Sequence, residues 1–203
     1  MTNDAQEYEK GYERLITFTD GIFAIAITLL ALEIRIPELE NKAELGQAII
    51  NMLPQIFVFV LAFMQVGILW LAHQRMFRHI NRTDATINWM SLVYLMLIAF
   101  LPVPSGTLAR YGSEFPAVEF FAITMVFVGV VELVMWQYAS SNRRLLNADV
   151  TDVQIKETQW RTYYMIAVFG LSILIAFVSP LLAMLSWILL LFTRTLVSRR
   201  FHQ

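Results

Sequence analysis

The run Arg14-Leu-Ile-Thr-Phe18-Thr19-Asp20-Gly21-Ile-Phe-Ala-Ile25-Ala-Ile-Thr28-Leu29-Leu-Ala-Leu32 decides the class of this chain. At 1.5 Å per residue, an apolar helix over 15–32 nearly spans the ~30 Å hydrocarbon core of a bilayer. Thr17, Asp20 and Thr28 interrupt it and no small-residue cleavage pattern follows, so it reads as a retained helix and not as a signal peptide. Outward from it, comparable apolar stretches recur at 53–71, 87–104, 118–135, 163–178 and 181–196. With 58% hydrophobic and 15% charged residues in a chain of 203, the composition is too apolar for a soluble domain of this size. The expected fold is therefore all-α: one polytopic membrane domain over 1–203 with six transmembrane helices.

The number six rests on the last two stretches. Only Ser179 and Pro180 separate them, and proline both removes a helix hydrogen bond and disfavours helix in the residue before it. The reading is a tight helical hairpin. One merged helix would overshoot the membrane. Charge distribution agrees, because basic residues collect in cytoplasmic loops. With six crossings and both termini cytoplasmic, all of the 15 Lys and Arg residues fall inside except Arg35, Lys42 and Arg110. Merging the last pair would move Arg199 and Arg200 to the wrong side. Trp160, Tyr163 and Tyr164 stand where the fifth helix should meet the interface.

A net charge of −1 provides no global field for nucleic acid, so no nucleic-acid partner is expected, and membrane lipids are the expected surroundings. The absence of cysteine excludes disulfides, thiolate metal sites and cysteine nucleophiles. His73 and His79 form no metal-ligand spacing with a carboxylate, and no phosphate loop or nucleophile elbow is present, so no enzyme, metal or cofactor is expected. Carboxylates at Glu33, Glu38, Glu40 and Glu44 follow the first helix. They read either as a solvated loop or as a means of raising the cation concentration at an outer mouth.

Within the first helix, an Asp in a membrane span needs a partner. Arg14 and Asp20 are six residues apart, outside the i,i+3 and i,i+4 neighbour spacings, so each should meet groups on other helices. Two readings stand for this pair: a buried packing network, or part of an ion path. Ile25, Leu29 and Leu32 recur at i, i+4 and i+7, with Thr28 beside them. That stripe suits core or lipid contact first, with a hydrophobic pore constriction as the alternative. Trp70 and His73, three apart, share a face near the end of the second helix, where Asp20 or Thr19 is the expected partner of His73. The basic run Arg75, Arg78 and Arg82 reads as a topology signal and a phospholipid headgroup contact.

Arg14-x-x-x-Phe18-Thr19-Asp20, followed by Gly-Ile-Phe-Ala-Ile-Ala-Ile-Thr-Leu-Leu, resembles the signature of the transmembrane protein 175 family of potassium channels. Trp70 and His73 in Leu-Trp-Leu-Ala-His-Gln-Arg resemble a second feature of that family, and its bacterial members carry a single six-helix unit. Thr19 stands where the family commonly has Ser, and both supply a hydroxyl. The resemblance implies a homotetramer in a cell membrane, passing potassium and other monovalent cations through a central pore lined by the first helix. Ile25 would form the narrowest ring, with Leu29 and Leu32 next along the stripe and Thr28 as the nearby hydroxyl. The motif residues Arg14, Phe18, Thr19, Asp20, Trp70 and His73 would form a supporting network. No Thr-Val-Gly-Tyr-Gly loop is present, so selection by backbone carbonyls is not available to this chain. The alternative is a proton- or ion-coupled secondary transporter using Asp20 and His73 as titratable groups. A non-transporting scaffold is the third class.

Overall fold

Proline and side-chain caps mark most of the helix starts. The computed structural model describes residues 3–35 and 42–192. Helix α1 (Asn3–Ala31) is followed by α2 (Leu45–Asn51) and α3 (Leu53–Arg78), the latter with Pro54 in its first turn, where a missing N–H costs nothing. Helix α4 (Ala85–Phe100) begins on Asp84, whose carboxylate accepts the Ile87 N–H at 2.9 Å. Pro102 opens α5 (Pro102–Tyr111) and Pro116 lies in the first turn of α6 (Phe115–Ser140). Thr151 and Gln154 form a reciprocal capping box on α7 (Asp152–Ala176). Ser179 caps α8 (Pro180–Ser186), which runs on as a 3-10 turn, Trp187–Phe192.

Among the described residues, four spans are long and apolar enough to cross a membrane: Gly11–Ala31, Leu53–Arg78, Ala85–Tyr111 and Phe115–Arg143. The stretch at 87–104 is divided at Leu101 by Pro102, giving α4 and α5 in place of one helix. Helix α7 has the length, but its first half, from Asp152 to Arg161, is polar. The final apolar segment, Pro180–Leu191, is short among the described residues. The expected last stretch runs to residue 196, and its end, with Arg194, Arg199 and Arg200, lies outside them, as do Glu38 and Glu40. The turn at Ser179 and Pro180 stands where the sequence puts it, with α8 packed back along α7.

Helix α6 is the spine, packed against α4, α5 and α7. Gly129 allows α7 to approach, since a Cβ there would lie 2.7 Å from Ile166 and Met165. Trp187 is wholly buried, stacked 4.9 Å from Phe121, and its carbonyl accepts Gln65 Nε2 at 3.3 Å, tying the last segment to α3. Helix α1 lies against α3, α4 and α5. At one end the loops interlock: Asn81 N–H donates to Leu145 O (2.8 Å), Asn147 N–H to His79 O (2.9 Å) and Arg82 to Arg144 O. Tyr12 on α1 reaches the same end, donating to Phe77 O at 2.9 Å.

Candidate functional site

Helix α1 has two faces of opposite fate. Thr19, Phe23, Ala26 and Leu30 are buried against its neighbours, following the helical period. The opposite stripe is exposed among the described residues: Ile25 is 57% exposed, Leu29 39% and Leu32 70%, with Thr28 exposed among them. Of the sequence readings of this stripe, packing in the protomer core is overturned, because the buried face is already filled by other residues. The Thr28 hydroxyl donates within its own helix, to Ala24 O at 3.0 Å and Ile25 O at 2.8 Å. Its proton is thus committed to the backbone, which leaves the oxygen to act as an acceptor.

The carboxylate of Asp20 finds its partner on α3, where Trp70 Nε1 donates to Oδ1 at 2.8 Å. Trp70 and not His73 therefore satisfies Asp20. His73 is 1% exposed, its ring stacked between Phe77 (4.4 Å) and Tyr94 (5.3 Å). Its Nε2 and the Thr19 hydroxyl are buried without a hydrogen-bond partner among the described residues. Arg14 and Phe18 stay on the exposed face of α1. The motif thus divides: Thr19 and Asp20 turn inward, while Arg14 and Phe18 continue the outward stripe.

At the other end of α1, Glu33 is tied to Arg110 at 3.3 Å, and Arg35 N–H donates to Gln55 Oε1 at 3.2 Å. Glu33 lies so close over α5 that a Cβ on Gly106 would meet its carboxylate. It serves as a tether to α5 and is not a free charge at a mouth. Arg82 also departs from the expected headgroup contact, since its guanidinium grips the Arg144 carbonyl (3.2 and 3.0 Å).

A buried charged residue also escaped the sequence reading. Glu132 is 4% exposed in the middle of α6, and the Arg75 charge acts on it from α3. The available signal was a lone acid in the apolar run Val130-Val131-Glu132-Leu133-Val134. Among the described residues, no group of three or more His, Asp or Glu side chains could hold a metal ion.

The profile of the family described as the endosomal/lysosomal potassium channel TMEM175 matches residues 14–102, which hold the α1 stripe together with Asp20, Trp70 and His73. A potassium channel of Chamaesiphon minutus is 31% identical over 88% of this chain and 92% of its own length. One from Streptomyces collinus is 29% identical over 82% of each. The human endosomal/lysosomal proton channel TMEM175 is 26% identical over 83% of this chain, which spans only 32% of it. In fold, the chain is similar to the crystal structure of a lysosomal potassium-selective channel TMEM175 homolog from Chamaesiphon minutus, with a TM-score of 0.81, 24% identity and coverage of 93% of this chain and 98% of that one. The chain belongs to the TMEM175 family, as a member of its bacterial branch.

Proposed function

We propose that the chain is the protomer of a potassium channel: a homotetramer of six-crossing subunits in the plasma membrane, both termini cytoplasmic, with residues 1–203 as one membrane domain. The observation that carries this reading is the unpacked stripe of α1, Ile25, Thr28, Leu29 and Leu32, on a helix anchored through Asp20 and Trp70. The names of the bacterial relatives support potassium as the permeant ion. For six crossings, the support is the α7–α8 hairpin beside the four long spans.

In this assembly, four copies of Ile25 face one another and form a ring that loses its water when narrow and passes ions when it widens slightly. Leu29 and Leu32 extend the apolar wall. Thr28 supplies acceptor oxygens, because its proton is already bonded to the backbone. Potassium sheds its hydration shell more readily than sodium, so partial replacement by such oxygens favours it. The Asp20–Trp70 bond and the buried His73, with Thr19 beside Asp20, fix the rotation of α1, while Arg14 and Phe18 continue the lining towards the cytoplasm.

Reversal potentials in planar bilayers under opposed potassium and sodium gradients test the proposal. The native chain should give unitary currents reversing towards the potassium potential, and Ile25→Asn should give larger, less selective ones. Saturating, coupled flux without unitary events would instead support a carrier and return Ile25 to packing. Thr28→Ala should lower the potassium to sodium permeability ratio, and an unchanged ratio would remove Thr28 from selection.

A further inference from the structure

Between α3, α6 and α7, at the end where the loops interlock, lies a cavity of about 150 Å³. Arg75, Arg78, Arg161, Glu132 and Glu157 supply its charges. We propose that this cavity binds a phosphate group, for which an anionic membrane lipid and free inorganic phosphate are the two sources.

Four observations carry the proposal. Guanidinium groups converge from two different helices, and their planar forks match phosphate oxygens in a way a lone ammonium does not. Arg161 is held on α7 by its pair with Glu157 one turn away, and the Arg75 charge acts on the buried Glu132. Arg78 is exposed at the rim. Secondly, three guanidinium groups stand against two carboxylates on the wall, so cationic groups outnumber anionic ones. His79 adds nothing to that count near neutral pH, because burial, reinforced by the neighbouring Arg78 charge, holds its imidazole below the ordinary range. Thirdly, Thr158 lines the same wall and supplies a neutral hydroxyl, beside Thr162, whose own hydroxyl donates to the Thr158 carbonyl at 3.4 Å. Finally, Trp160 and Tyr163, exposed on α7 on either side of Arg161, mark the membrane–water interface. Basic pockets between membrane helices at that depth accommodate lipid headgroups. Arg82 takes no part, being held by the Arg144 carbonyl. The site is separate from the α1 stripe and does not depend on what passes along it.

The probes are phosphatidylglycerol and phosphatidylcholine, added to the detergent-purified full chain and counted by native mass spectrometry, together with inorganic phosphate titrated calorimetrically in lipid-free detergent. Arg78→Gln should weaken phosphate binding about tenfold, the effect of one hydrogen bond to a charged group. Lys156→Gln, outside the cavity wall, should leave it unchanged. Glu132→Gln is nearly isosteric and removes a negative charge, so it should tighten binding, a gain that a misfolded variant cannot produce. If phosphatidylglycerol alone follows this order, the site takes lipid; if inorganic phosphate follows it too, the site takes the free anion as well. If Arg78→Gln and Glu132→Gln bind both probes as the native chain does, the proposal is wrong.

Discussion

Helices α1 and α6 each contain an apolar span of membrane length, and the two spans have opposite surroundings. Both are apolar spans, yet 22% of the most apolar window of Gly11–Ala31 is buried within the protomer, against 50% of that of Phe115–Arg143. Helix α6 meets helices on several sides and completes its packing inside one chain. Helix α1 spends one face on α3, α4 and α5 and leaves the other unpaired. Apolarity therefore says that a helix lies in the membrane, whereas burial within the protomer separates a structural spine from a surface that awaits lipid, water or another copy. A substitution in α6 should act on folding, and one in the α1 stripe on flux.

The largest effect on stability is expected at Gly129→Leu, which forces a side chain into Ile166 and Met165 and should cost about 3 kcal/mol through overpacking. Reversible unfolding in mixed micelles measures it, and a neutral result would mean that α6 is not the packed spine. Trp70→Phe should follow, at about 2 kcal/mol, because it strands the Asp20 carboxylate without its donor. Its single-channel currents should also become irregular, whereas Gly129→Leu should reduce the yield of folded protein and leave the conductance of surviving channels unchanged. Asp84→Ala removes the α4 cap and should cost about 1 kcal/mol. Although desolvation acts to raise the Asp84 pKa, hydrogen bonds from the Ile87 N–H and the Tyr138 hydroxyl outweigh it and hold the group below 3.8. The native contribution is therefore present above that value and fades as the pH falls through the lowered one, so an acid titration of stability should show Asp84→Ala losing less than the native chain. The smallest effect is expected from Arg110→Gln, under about 0.5 kcal/mol, since its pair with Glu33 is partly exposed and screened.

Spans and hairpin were legible because they follow from rules local to the chain. Apolar length located the four long spans found among the described residues, and Pro180 located the turn before α8. The break at Leu101 was less visible, since Pro102 sits inside an apolar run and acts as a helix start instead of a kink. Partners were harder still. The choice of Trp70 over His73 for Asp20 depends on the rotation of α3, which spacing three apart on one face does not fix. Glu33 reads as solvent-facing until Gly106, and Arg110 from 77 residues away, are brought beside it. The stripe Ile25, Leu29, Leu32 was readable as a face, whereas its exposure was not, because sequence periodicity records that a face exists and not what covers it.

The central claim, that the unpaired face of α1 borders water while the exposed face of α6 borders lipid, can be tested on a chain without native cysteines. Leu29→Cys and Leu32→Cys should be modified by a charged, membrane-impermeant thiol reagent during current recording, and the current should fall, because only a hydrated thiol ionises and reacts. Phe127→Cys, 59% exposed on α6, should stay inert in the same assay. Inert thiols at 29 and 32, or equal reaction at 127, would contradict the assignment of α1 to the pore.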